Sequence, residues 1–173
     1  MLIGVLDIQG SVEEHVASLR ACGVEAVLVK SAEQIEKLDG LIIPGGESTT
    51  IFDLMSKYKI DVAIKKNKGL AIWGTCAGAI LLSKMKLMNI EVERNAYGSQ
   101  IASFETELKV NSKTVKAIFI RAPKIIKTSK ESQILAQYDG SPVMVQEGNK
   151  LATTFHPELT NDLTVHKYFL SLC

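Results

Sequence analysis

The residues best suited to chemistry are Gly74-Thr75-Cys76-Ala77-Gly78, set between the apolar run Leu70–Trp73 and a helical pattern that starts at Ala77. A strand that turns sharply into a helix crowds its own backbone, so the positions flanking the turn must be glycine. Such an elbow lifts its central side chain out at the carboxyl end of a sheet. There the helix N-terminus favours a thiolate at Cys76, and the Ala77 amide faces an oxyanion as it develops. A small cysteine packed in a tight connection would share this pattern, so the motif alone leaves chemistry and packing both open. His156-Pro157-Glu158 supplies what a nucleophile needs. In an extended segment residues two apart face one side, and proline holds that conformation. Glu158 can then orient the His156 ring while its other nitrogen exchanges a proton with Cys76. The third piece is Pro44-Gly45-Gly46-Glu47-Ser48, whose glycines let backbone amides turn toward an anion. Gly46 can give the second oxyanion hydrogen bond beside that of Ala77.

These pieces need strands and helices to carry them. Leu2–Ile8 reads as a strand, followed by a helix with Val12, Val16 and Leu19 on one face. Ser11 and Glu14 have the spacing of a capping box, and Cys22-Gly23 stops the helix. Strands are predicted over 25–29, 41–43 and 70–73, a short helix over 32–38, a helix through Ile51, Leu54 and Met55 capped by Ser48 or Thr49, and another over 77–87. Strands alternating with helices point to parallel βαβ units with helices on both faces. The second half is richer in short strands, over 90–94, 105–110, 115–120, 134–138, 143–147 and 151–155, with a hairpin signal at Gly148-Asn149 and a closing helix over 162–172. The expected fold is α/β, a three-layer doubly wound, mostly parallel sheet of flavodoxin-like type with added antiparallel strands, in one domain over residues 1–173.

Composition bounds the function. The 173 residues include 20 basic and 19 acidic side chains, which leaves no electrostatic footprint for nucleic acid or an anionic membrane. Apolar runs such as Gly40–Ile43 are too short to span a bilayer. The opening Met-Leu-Ile-Gly-Val-Leu carries no basic segment and no cleavage site, so no secretory signal is expected. Three scattered cysteines make no disulfide framework, and a cytoplasmic location is expected.

The motifs in order resemble the class I glutamine amidotransferases, in particular the glutaminase subunits of two-component pyridoxal 5′-phosphate synthases. The resemblance runs from about residue 2 to 170. It is carried by Leu6-Asp7-Ile8-Gln9-Gly10 with Glu14-His15, by 44–50, by 74–78, by Val92-Glu93-Arg94-Asn95, by Phe119-Ile120-Arg121-Ala122-Pro123 and by Phe155-His156-Pro157-Glu158-Leu159-Thr160. It implies a Cys76-His156-Glu158 triad that releases ammonia from L-glutamine, with Gly46, Glu47, Ser48, Arg94, Ile120 and Arg121 bordering the substrate. Either arginine could clamp the α-carboxylate, and Glu47 could meet the ammonium. The resemblance further implies no metal and no organic cofactor, and a synthase partner in a large hetero-oligomer. That partner joins the ammonia to ribose 5-phosphate and glyceraldehyde 3-phosphate, and its docking completes the oxyanion hole. Ser83–Asn89 is shorter than the matching loop of many relatives, the chain stops soon after its last helix where some relatives extend, and Asp7 replaces a small residue. For His15 the expected place is the helix surface. Other readings are an amidotransferase subunit of a nucleotide or amino-acid pathway, a cysteine hydrolase or chaperone-like protein of this fold, or a silent binding module. Many subunits of the first kind carry glutamine where this chain has Ile80.

Overall fold

A computed structural model describes residues 1–94 and 103–173; Asn95 of the fourth motif lies outside them. Five parallel strands form its centre, in the order β2 (Glu25–Val29), β1 (Leu2–Leu6), β3 (Gly40–Ile43), β4 (Ala71–Thr75) and β11 (Lys150–Thr153). Beyond β11 the sheet continues antiparallel through β10 (Ser141–Glu147) and β9 (Gln133–Tyr138), with the expected turn at Gly148. Two small antiparallel pairs complete the second half, β5 (Glu91–Glu93) with β8 (Lys124–Lys127) and β6 (Ser103–Val110) with β7 (Lys113–Ile120).

Successive strand residues point to opposite faces, and the core divides accordingly. Ile3, Val5, Ile42, Trp73 and Leu151 pack on one side with Val12, Val16 and Leu19 of α1 (Val12–Ala21) and Val165 and Phe169 of α5 (Thr164–Leu170). Leu6, Leu41, Ile43, Ile72 and Ala152 pack on the other, under α2 (Ser48–Lys57), α3 (Ile60–Lys66) and α4 (Ala77–Lys84). Each such Val, Leu or Ile side chain stabilises the fold by about 1.5–3 kcal/mol. The three-layer parallel architecture is therefore as the sequence indicates, with α3 and β8 as elements not foreseen.

The helix starts differ from expectation. Ser11 makes no cap hydrogen bond to α1; its hydroxyl donates instead to Glu158 Oε1 at 2.6 Å. The cap of α2 is Glu47 rather than Ser48 or Thr49, its carboxylate accepting from the amides of Thr49 and Thr50 at 3.0 and 2.7 Å. Residues Ala32–Lys37 form a 3-10 helix, its entry held by Gln34 Oε1, which accepts from the amides of Lys30 and Ser31. Asp7 pairs with Lys30 at 3.0 Å across the ends of β1 and β2. The three motif loops leave the carboxyl ends of β3, β4 and β11, which are neighbours in the sheet.

Candidate active site

Cys76 occupies the turn between β4 and α4 with φ 48° and ψ −105°, a conformation that L-residues rarely adopt. Its surroundings impose it. A Cβ on Gly74 would stand 2.4 Å from the backbone of Gly78, and a Cβ on Gly78 would stand 2.1 Å from the Ile43 carbonyl oxygen. The chain can make this elbow only with glycine at both positions, as the motif requires. The Cys76 amide donates to Thr153 O at 2.8 Å, pinning the elbow to β11. Ala77 begins α4, so its amide lies at that helix's N-terminus.

His156 follows β11, and its amide donates to Ile118 O at 2.8 Å. The segment after it is not the extended stretch expected. Pro157–Leu159 is a 3-10 turn, with proline at a position where a missing N–H costs nothing. This turn brings Glu158 against the ring, with His156 Nδ1 2.7 Å from Oε1. His156 is also hydrogen-bonded to Cys76. Burial opposes a charge on its ring, but the bond to Cys76 and the bond and charge of Glu158 outweigh that and raise it from 6.5 to about 10. Glu158 is 4% exposed. Burial pushes its carboxyl up, while the facing His15, the His156 bond and charge, and the Ser11 hydroxyl pull it further down, from 4.5 to about 2.

Gly46, Glu47, Ser48, Ala77, Arg94 and Arg121 line the cleft in front of Cys76, which encloses about 430 Å³. The expected residues are thus brought together, with Ile120 contributing its carbonyl oxygen 3.9 Å from Cys76 Sγ. Arg94 donates to the hydroxyls of Ser48 and Thr49 and lies 4.0 Å from the Glu47 carboxylate. Arg121 is placed by a left-handed backbone, φ 44°. Glu47 is held charged, from 4.5 down to about 2, chiefly by the Thr49 and Thr50 amides. Gln9 Oε1 accepts from the Glu47 amide at 3.0 Å, tying the Gly45-Gly46 strap to the loop after β1. Gly10 passes so close to Gly45 that a Cβ there would meet its carbonyl oxygen at 1.6 Å. A separate surface hollow of about 470 Å³, lined in part by Glu33, Glu36, Lys59 and Lys66, lies by α3, away from Cys76.

Behind Cys76, His156 and Glu158 lies a buried group not foreseen from the sequence. His15 is fully buried, not on the helix surface, with its ring nitrogens 3.1 Å from His166 Nε2 and 3.2 Å from Thr75 Oγ1. The signal was present, since Val12, His15, Val16 and Leu19 share one helical face and that face is apolar. Burial lowers His15 from 6.5 to about 4 and His166 from 6.5 to about 3, so both rings are neutral near pH 7.

Comparison with known proteins fits this geometry. A pyridoxal 5′-phosphate synthase subunit PdxT of Thermotoga petrophila is 50% identical, with 99% of each chain covered. A crystal structure of a glutamine amidotransferase superposes with a TM-score of 0.94 at 42% identity, covering 98% of this chain and 97% of that one. PurLQS of Thermotoga maritima shares the fold at a TM-score of 0.77 and 18% identity, covering 98% and 97%. The SNO glutamine amidotransferase family matches residues 5–173, and the chain belongs to that family.

Proposed function

We propose that this chain is the glutaminase subunit of a two-component pyridoxal 5′-phosphate synthase, acting in the cytoplasm. The observation that carries it is the line from Glu158 through His156 to Cys76 at the base of a cleft edged by Arg94 and Arg121. The Cys76 thiolate attacks the side-chain amide carbon of L-glutamine. The amides of Gly46 and Ala77 hold the tetrahedral oxyanion. His156 passes its proton to the departing nitrogen, the C–N bond breaks, and ammonia leaves a glutamyl thioester on Cys76. Water, deprotonated by His156, then attacks the thioester and frees glutamate and the thiolate. Arg94 or Arg121 takes the α-carboxylate, and the charged Glu47 meets the α-ammonium. Because ammonia escapes readily to water, the product is handed to a synthase subunit bound to this chain.

The support is the family match together with relatives named PdxT over nearly their whole length. The test is glutamate release with and without a pyridoxal 5′-phosphate synthase subunit. Release rises when the synthase subunit is added and is abolished by Cys76→Ala. Full release by Cys76→Ala would overturn the enzymatic reading, and full release by the chain alone would overturn the gating.

A further inference from the structure

The buried pair His15 and His166 has no place in the reaction just given, yet it touches the one triad member that orients the rest. Glu158 Oε1 is occupied, receiving both Ser11 Oγ and His156 Nδ1. Oε2 is buried without a hydrogen-bond partner among the described residues, and the polar atom facing it is His15 Nε2, at 3.6 Å. A carboxylate held by one oxygen can rotate, and rotation would carry Oε1 away from His156. We propose that His15 is a positioning residue for Glu158, its Nε2–H directed at Oε2. This rests on the reading of Cys76, His156 and Glu158 as the triad.

The surroundings choose the tautomer. A neutral imidazole has one N–H and one lone pair. A lone pair at Nε2 would face the carboxylate across a water-poor interior where repulsion is weakly screened. With Nε2 protonated, that N–H is shared between Thr75 Oγ1 and Glu158 Oε2. Nδ1 then accepts from His166 Nε2–H at 3.1 Å. The groups facing His15 are Glu158 and His156 beyond β11, Thr75 and Trp73 of β4, His166 of α5 and Glu14 on its own helix. Burial and the charge of His156 oppose a charged ring, the carboxylates of Glu158 and Glu14 favour one, and burial prevails. Trp73 meets both rings edge-on, at 5.3 Å for His15 and 4.8 Å for His166, which restricts their tilt. The 3.6 Å contact is longer than a hydrogen bond, as catalytic contacts often are before substrate tightens them.

Two measurements test this. The chain has three histidines, so selective ¹⁵N labelling yields three ring signal sets, which single His15→Gln and His166→Gln variants assign. At pH 7 His15 is expected as the neutral Nε2–H tautomer; an Nδ1–H tautomer or a charged ring overturns the proposal. Kinetics of the complex with the synthase subunit give the second. His15→Leu removes the donor and should lower kcat by about 10- to 100-fold, the usual weight of an outer partner of a catalytic group. KM for glutamine should stay within about two-fold, because no ground-state contact is lost. His15→Gln, which returns an N–H at a similar reach, should recover most of kcat. Wild-type kcat in His15→Leu, or equal losses in both variants, overturns the proposal. A His156→Ala control separates the two readings. If it remains active, the triad reading fails; if it is dead while His15→Leu is fully active, only the role of His15 fails. Should His15→Leu misfold, the tautomer measured in the unaltered chain still decides.

Discussion

At the scale of single residues, the site works through charges that hold one another. The bond to Cys76 and the bond and charge of Glu158 together keep His156 protonated. Glu158→Gln preserves shape but removes the charge that fixes the ring and its tautomer. Glutamine turnover should fall by up to about 10⁴-fold, as when the acidic member of a triad is amidated, with KM little changed. Steady-state kinetics of the complex check this, and a loss under ten-fold would show that Glu158 does not orient His156. Cys76, His156 and Glu158 were legible as a candidate site because each sits in a short motif whose steric reason is local. The relation of His156 to Glu158 was legible only in outline. Their contact was foreseen, but the backbone that makes it is a 3-10 turn and not an extended segment. Proline suits both conformations, so residue type alone did not choose.

At the scale of elements, the β4–α4 elbow is held by close backbone packing. Gly78→Ala would set a methyl 2.1 Å from the Ile43 carbonyl oxygen, against backbone that cannot swing aside. We expect a stability loss of about 1–3 kcal/mol or more, read from urea unfolding, with turnover reduced because Cys76 is displaced. Unchanged stability would mean that α4 shifts freely over β3. The strap at Gly45-Gly46 is held by the Gln9 side chain on the Glu47 amide and by the close pass of Gly10. Glu47 also caps α2, which the sequence assigned to Ser48 or Thr49. All three residue types can accept at a helix start, and the backbone path after Gly46 decides which oxygen reaches the amides. Elements α3 and β8 were missed for a related reason. Each is short, and each is stabilised by neighbours more than by its own pattern.

At the scale of the whole molecule, stability should pass through a maximum near pH 6.5. Unfolded histidine takes up a proton at about 6.5, whereas folded His15 and His166 stay neutral down to about 4 and 3. Below 6.5 the unfolded chain binds more protons, so each group lowers stability by up to about 1.4 kcal/mol per pH unit across its window. Glu158, depressed from 4.5 to about 2, adds to the loss as pH falls through that interval. His156 acts in the opposite sense: raised from 6.5 to about 10, it stabilises fully below 6.5 and loses that contribution as pH climbs to 10. Urea midpoints across pH 4 to 10 should trace this curve, and His166→Phe should flatten its acid side; an acid side unchanged by that variant would refute the assignment. The strand alternation and the glycine elbow were legible in the sequence by itself because each depends on sterics or periodicity within a few residues, whereas the family was legible only through the resemblance carried by ordered motifs along the whole chain. The tertiary structure alone decided that Ser11 reaches Glu158 across 147 residues and that His15 meets His166 across 151. Those contacts exist because the sheet order places α1 and α5 on one face behind β4 and β11, and no local pattern encodes which helices share a face.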